Sequence, residues 1–144
     1  MSGTPASTKG AGAVDISSKN AGKSKGGENA RTLIFGGQVV SMANVFISRR
    51  YVYAMVNPKP VTTGHVLICP TRQVRRFKDL TELEVLELFI CAKEVVQKFE
   101  SQYQSRNFMI LIQDGKYACS SPHEKADVHL QIIPRDEQNT DIQN

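Results

Sequence analysis

Residues 127–134 read Asp127-Val128-His129-Leu130-Gln131-Ile132-Ile133-Pro134, a polar and apolar alternation that ends on proline. Side chains two apart in a strand share one face, about 6.5–7 Å from each other along it. Val128, Leu130 and Ile132 therefore turn toward a core. Asp127, His129 and Gln131 align a carboxylate, an imidazole and a carboxamide on the side away from it. Taken alone, such alternation marks any half-buried strand, so it establishes β character and leaves the chemistry open.

Working outward, a polar loop from Lys116 to Ala126 precedes this strand. Before the loop, Phe108-Met109-Ile110-Leu111-Ile112 is apolar throughout, the pattern expected of a central strand buried on both faces. Gln113-Asp114-Gly115 closes it, with Asp-Gly as a turn signal. A helix is expected from about Glu82 to Tyr103. Thr81 is a good N-cap, Glu84 can complete a capping box, and Leu80 with Val85 fits a hydrophobic staple. Apolar residues at 85, 86, 89, 90, 92, 96 and 99 predict the stripe that packs on a sheet. Further back, Gly64 opens the run His65-Val66-Leu67-Ile68-Cys69, which Pro70 stops. Val45 to Ser48 and Tyr51 to Val56 read as a hairpin across Arg49-Arg50. Asn57-Pro58-Lys59-Pro60 must turn, because each proline removes a ladder donor. Thr32 to Phe35 is a short extended run closed by Gly36-Gly37. Together these give about five or six strands and one long helix. The expected class is α+β, an antiparallel sheet of about five strands with the helix laid on one face.

The chain has 144 residues, 40% of them hydrophobic, which suits one domain. Residues 1–31 contain no aromatic side chain and six of the ten glycines. Such a stretch buries too little apolar surface to offset its ordering entropy, so a disordered tail is expected there. Residues 32–136 form the expected domain, and 137–144 a short polar tail. Most of the net charge of +4 sits in the first segment, where Lys9, Lys19, Lys23, Lys25 and Arg31 face only Asp15 and Glu28. A basic arm of this kind can make weak, salt-sensitive contacts with nucleic acid or an acidic partner, although a solvated tail is the simpler reading. No stretch is apolar enough to span a membrane, and no secretory h-region is present. Cys69, Cys91 and Cys119 are widely spaced and odd in number, which points to free thiols in a reducing compartment. The expected location is cytoplasmic, with a nuclear one next and organelle targeting behind both.

Four motifs occur in order: Asn57-Pro58-Lys59-Pro60, Gly64-His65-Val66-Leu67-Ile68-Cys69-Pro70, Gln113-Asp114-Gly115, and His129 with Ile133-Pro134-Arg135. With Phe35-Gly36 ahead of them, the chain resembles the histidine-triad superfamily, in its fragile-histidine-triad, diadenosine triphosphate hydrolase branch, over roughly residues 32–135. The resemblance implies an adenosine nucleotide or dinucleoside polyphosphate as substrate and a homodimer as the assembly. It implies that His129 attacks the α-phosphorus to give a nucleotidyl-histidine, and imidazole suits that role because it holds a free lone pair near neutral pH. On the same basis Gln131 and Gln113 hydrogen-bond phosphate, Asn57 meets the ribose, and His65 supports the nucleophile strand. Phe35, Met55 and Leu67 form an apolar adenine slot. Mg²⁺ or Mn²⁺ arrives with the substrate, and no metal site on the protein is expected.

The chain departs from the family pattern in two places. Asp127 and Gln131 stand where the outer two histidines of the triad belong. Asp127 can still offer its backbone carbonyl to His129, but its carboxylate near a polyphosphate is repulsive and would raise the pKa of a neighbouring imidazolium. The loop before the strand is also longer than in related enzymes, with Ser120, Ser121 or His123 as the available phosphate donors. Cys119, His123, Asp127 and His129 match no strong zinc spacing. The rival to an enzyme is a catalytically impaired nucleotide-binding or adaptor protein recruited by its basic tail.

Overall fold

The structure, a computed structural model, describes residues 31–103, 106–118 and 126–138. The basic segment at 1–30, the loop residues Cys119, Ser120, Ser121 and His123, and positions 139–144 lie outside the described residues.

The chain opens with a two-stranded hairpin, β1 (Ile34–Phe35) and β2 (Gln38–Val39). Its turn is Gly36-Gly37 at φ 58° and 79°. Positive φ at both central residues is the tight turn that matches strand twist, and glycine takes it without a Cβ penalty. The main sheet follows: β3 (Val45–Ser48), β4 (Val52–Val56), β5 (Val66–Pro70), then α1 (Glu82–Tyr103), β6 (Asn107–Gln113) and β7 (His129–Arg135). Its order is β3-β4-β5-β7-β6, antiparallel throughout. The α+β reading therefore holds: a five-stranded antiparallel sheet with one long helix on one face.

The start of α1 forms as its sequence dictates. The Glu84 N–H donates to Thr81 Oγ1, and the Thr81 N–H donates to Glu84 Oε1, both at 3.2 Å. This reciprocal pair satisfies two donors that the first helical turn leaves orphaned. Arg72 reaches the same carboxylate at 2.8 Å. The buried stripe differs from the expected one. Leu88, Cys91, Ala92, Val95 and Phe99 face the sheet, while Leu86, Phe89 and Ile90 are exposed. The first half of the helix is apolar nearly all round, so periodicity alone does not choose its inner face. The choice is made by Glu87 and Glu94, which bind the β3–β4 turn through the Tyr51 N–H at 2.7 Å and Arg49 at 2.5 Å.

A second correction concerns β6. It is the edge strand, with Ile110 49% exposed, where an apolar run suggested a centre. The central position belongs to β7, which is buried from His129 to Pro134 and lies between β5 and β6. That strand begins at His129, two residues later than its alternation implies, because the Val128 N–H leaves the sheet to bind the Val74 carbonyl at 2.8 Å. It also continues past Pro134 to Arg135, since beyond Ile132 it is paired to β6 alone.

Val52, Ala54, Val66, Ile68, Leu130 and Ile132 pack against α1 in one dry cluster. Burying a large aliphatic side chain of this kind stabilises by about 1.5–3 kcal/mol. Gly64 lets the chain enter β5: at φ 83°, a Cβ would lie 3.0 Å from the Phe99 ring and 3.2 Å from Pro134. The alternate residues of the same strands point to the other face, beneath the β1–β2 hairpin, where the candidate site lies.

Candidate functional site

On that second face, Tyr53 and Met55 from β4 and Leu67 and Cys69 from β5 form a buried cluster with Leu33, against which Phe35, Val40 and Val45 pack. Met55 and Leu67 are direct ladder partners. Of the three residues expected to make an apolar slot, Met55 and Leu67 are buried in this cluster and Phe35 packs against it from the hairpin. Burial pushes the Cys69 thiol and the Tyr53 hydroxyl well above their ordinary values, so both stay neutral.

Beside this cluster a polar row runs from His65, just ahead of β5, to Gln131 and His129 on β7 and Gln113 at the end of β6. It starts at the turn after β4, where the Val61 N–H lies 3.2 Å from His65 Nδ1. A backbone N–H can only donate, so Nδ1 accepts and the ring proton belongs on Nε2. His65 Nε2 is 2.6 Å from Gln131 Oε1, which makes that oxygen the acceptor and leaves the Gln131 amide to donate twice. One N–H goes to Gln113 Oε1 at 2.5 Å and the other to His129 Nε2 at 3.2 Å. Gln113 Nε2 then donates to the Ala118 carbonyl at 2.9 Å. At the far side of the His129 ring, Nδ1 is 2.9 Å from the Asp127 carbonyl. A carbonyl only accepts, so Nδ1 carries the proton and Nε2 keeps its lone pair. Every member of the row has one role that satisfies all its partners, and the row leaves His129 Nε2 unprotonated, with the Gln131 amide donating to it.

Burial lowers the pKa of both imidazoles, and it outweighs the opposing hydrogen bonds that His65 donates to Gln131 Oε1 and His129 donates to the Asp127 carbonyl. The Asp127 charge also pulls the His129 pKa upward, as its carboxylate suggests, but desolvation is the larger effect. Both rings are therefore neutral at pH 7. The Phe35 and His129 rings pack perpendicular to each other, with centroids 5.0 Å apart at 88°. This contact fixes the imidazole plane from the hairpin side.

The structure places the remaining site residues as follows. The Asp127 carbonyl does hold His129, and the Asp127 carboxylate is bound to the Gly36 N–H at 3.0 Å. That side chain is thus engaged by the hairpin turn. Asn57 Nδ2 lies 3.2 Å from His65 Nδ1 and 3.3 Å from Nε2. Because Val61 and Gln131 already occupy those nitrogens, the Asn57 amide rests against the ring. Its Oδ1 accepts the Lys59 N–H at 2.9 Å, an Asx turn that shapes the proline-rich loop. Ser120 and Ser121 fall outside the described residues. Sequence reasoning did not foresee the Gly36 N–H or the Val61 N–H, since backbone donors leave no residue-type signal. Among the described residues, no cluster of three or more His, Cys, Asp or Glu is placed to hold a metal ion, and no helix is long and apolar enough to cross a membrane.

The model of the HIT domain matches residues 38–138. The chain belongs to the HIT domain family. A bis(5′-adenosyl)-triphosphatase from Dictyostelium discoideum is 38% identical over 104 residues, covering 72% of this chain and 68% of the relative. In structure, this HIT domain superposes on the Caenorhabditis elegans NitFhit protein with a TM-score of 0.69 at 36% identity, over 81% of this chain and 28% of that one. A Plasmodium falciparum diadenosine triphosphate hydrolase, solved with cyclomarin A, gives 0.68 at 28% identity, over 82% of this chain and 77% of the other. The chain spans about a fifth of the length of the curated nitrilase and fragile-histidine-triad fusion it matches, at 43% identity over 64% of its own length.

Proposed function

We propose that the chain hydrolyses dinucleoside polyphosphates of the diadenosine triphosphate kind through a nucleotidyl-histidine. The observation that carries this reading is the lone pair on His129 Nε2, which the polarity of the Gln131 and Asp127 contacts enforces. The relatives named as bis(5′-adenosyl)-triphosphatase and diadenosine triphosphate hydrolase supply the substrate class. In the first step Nε2 bonds the α-phosphorus, the bond from that phosphorus to the bridging oxygen breaks, and ADP departs. The charged imidazole of the adduct keeps its Nδ1–H on the Asp127 carbonyl. Water then cleaves the phosphorus–nitrogen bond, releasing AMP and a proton and restoring neutral His129.

Gln131 turns its amide from His129 to a phosphate oxygen, and Gln113 assists, with His65 holding the Gln131 carbonyl in place. The adenine enters the slot of Phe35, Met55 and Leu67, and Asn57 meets the ribose. A divalent cation, Mg²⁺ or Mn²⁺, comes with the polyphosphate as part of the substrate. The uncovered apolar face of α1, with Leu86 55% and Phe89 48% exposed, and the open edge of β6 supply the surfaces for a homodimer.

Steady-state turnover of diadenosine triphosphate with Mg²⁺ tests the assignment. His129→Asn is expected to lower kcat by at least about a thousandfold, as the loss of a nucleophile does. A His129→Asn protein that turns over at the wild-type rate overturns it.

A further inference from the structure

A cleft of about 480 Å³ opens beside the polar row, lined by Arg75, Arg76, Asp114, Gly115, Lys116 and Tyr117. Its position follows from the ladder. Gln113 is paired to His129 in register, and Asp114 and Gly115 follow it directly. The cleft therefore begins about one strand repeat, roughly 7 Å, beyond the proposed nucleophile. Gly115, at φ 91°, reverses the chain so that Lys116 and Tyr117 border the same space.

The charges in the cleft are not all committed. Asp114 accepts Arg76 Nε at 2.9 Å and the Phe77 N–H at 2.8 Å. The Arg76 guanidinium accordingly holds the Asp114 carboxyl below its ordinary value, and the two neutralise each other. Arg75 makes no ion pair with any described residue. The Lys116 ammonium sits 4.7 Å from the centre of the Tyr117 ring, and that ring is 80% exposed. An arginine with no ion pair among the described residues, and a lysine lying over one face of an exposed aromatic ring, match a ligand that is polyanionic at one end and planar at the other. Exposed tyrosine rings stack nucleobases without regard to sequence, and cations beside them take phosphate.

We propose that this cleft is the leaving-group subsite, where Arg75 and Lys116 hold the distal phosphates and Tyr117 stacks the second nucleobase of a dinucleoside polyphosphate. The inference rests on the hydrolase reading, since the nucleoside diphosphate half has to extend away from His129 as the α-phosphorus is attacked. It gives the site a preference for substrates whose leaving group is itself a nucleotide. A nucleotide with a small uncharged leaving group does not reach the cleft.

The test compares diadenosine triphosphate with adenosine 5′-phosphoramidate on the wild type, Arg75→Ala, Lys116→Ala and Tyr117→Ala. Each cation removed is expected to lower kcat/KM for diadenosine triphosphate by about tenfold, chiefly through KM, and for the phosphoramidate by less than about twofold. Equal losses on both substrates, or no loss on either, overturn the subsite. A binding titration keeps the two claims apart. On the His129→Asn protein, which holds substrate without consuming it, the affinity for diadenosine triphosphate relative to AMP is expected to fall by a similar factor in the Arg75 and Lys116 variants. A wild type with no turnover and an intact binding difference would sink the hydrolase reading and leave the subsite standing. Turnover with no binding difference would do the reverse.

Discussion

The face of the sheet that meets α1 and the face beneath the β1–β2 hairpin are built from alternate residues of the same strands. They solve different problems. On the helix side Val52, Ala54, Val66, Ile68, Leu130 and Ile132 are dry, and one long amphipathic element covers them. On the hairpin side the same strands contribute Met55, Leu67, His129 and Gln131, with His65 just ahead of β5, so apolar packing runs directly into a satisfied polar row. The helix face needs only volume and hydrophobicity. The hairpin face needs each donor and acceptor in one orientation, because a buried polar group without its partner costs about 1–3 kcal/mol. Stability is therefore concentrated on one side and chemistry on the other, with only the thickness of a strand between them.

Removing volume from the helix side should separate the two most sharply. Leu88→Ala empties a site that is 1% exposed and is expected to cost about 3 kcal/mol in urea denaturation. Its kcat per folded molecule should stay within about twofold of wild type. A matching loss of kcat would show that the two faces are coupled. Gly64→Ala probes the seam between them and should cost about 2 kcal/mol, from the positive φ and the close approach to Phe99.

On the hairpin side, Asp127→Ala removes the acceptor of the Gly36 N–H and loosens the element that carries Phe35. A kcat/KM about tenfold lower is expected, with most of it restored in Asp127→Asn, whose carboxamide oxygen still accepts the bond. Equal losses in both variants would mean that the negative charge matters and the latch does not.

The smallest effect expected is that of pH above about 6.5. Burial lowers the pKa of His65 and His129 below the ordinary value of 6.5, so below that value the unfolded chain binds protons that the folded chain refuses. Their contribution to stability is complete above about pH 6.5 and is lost as pH falls toward and through the folded values. Activity, which in the proposed mechanism uses the His129 lone pair, should follow the same direction, with kcat/KM level from about pH 8 to 6.5 and an acid limb below. A limb centred above 6.5 would contradict the neutral, buried ring.

Much of this arrangement can be read from the chain. The capping box at Thr81 and Glu84 marks the start of α1, and alternation around His129 identifies the strand that carries the site. The ordered motifs at Asn57, His65 and Gln113 bring together residues at the end of β4, the start of β5 and the end of β6, beside His129 on β7. Three features resist such reading for physical reasons. Periodicity does not distinguish the inner face of α1, because Leu86, Phe89 and Ile90 are as apolar as the residues that pack. The run at Phe108 to Ile112 has the composition of a central strand but sits at an edge, with its apolar surface uncovered. The carboxylate of Asp127, which suggests repulsion of phosphate, is held by a backbone N–H that no residue type announces.

In the proposed reaction His129 Nε2 forms the covalent bond to the α-phosphorus. A single-turnover reaction of the full chain with diadenosine triphosphate labelled at the α-phosphates, quenched within the first turnover and mapped by mass spectrometry, tests it most directly. AMP is expected on the peptide containing His129 and none on His129→Asn. Release of AMP and ADP with no adduct at any quench time, or an adduct of equal yield in His129→Asn, would contradict it.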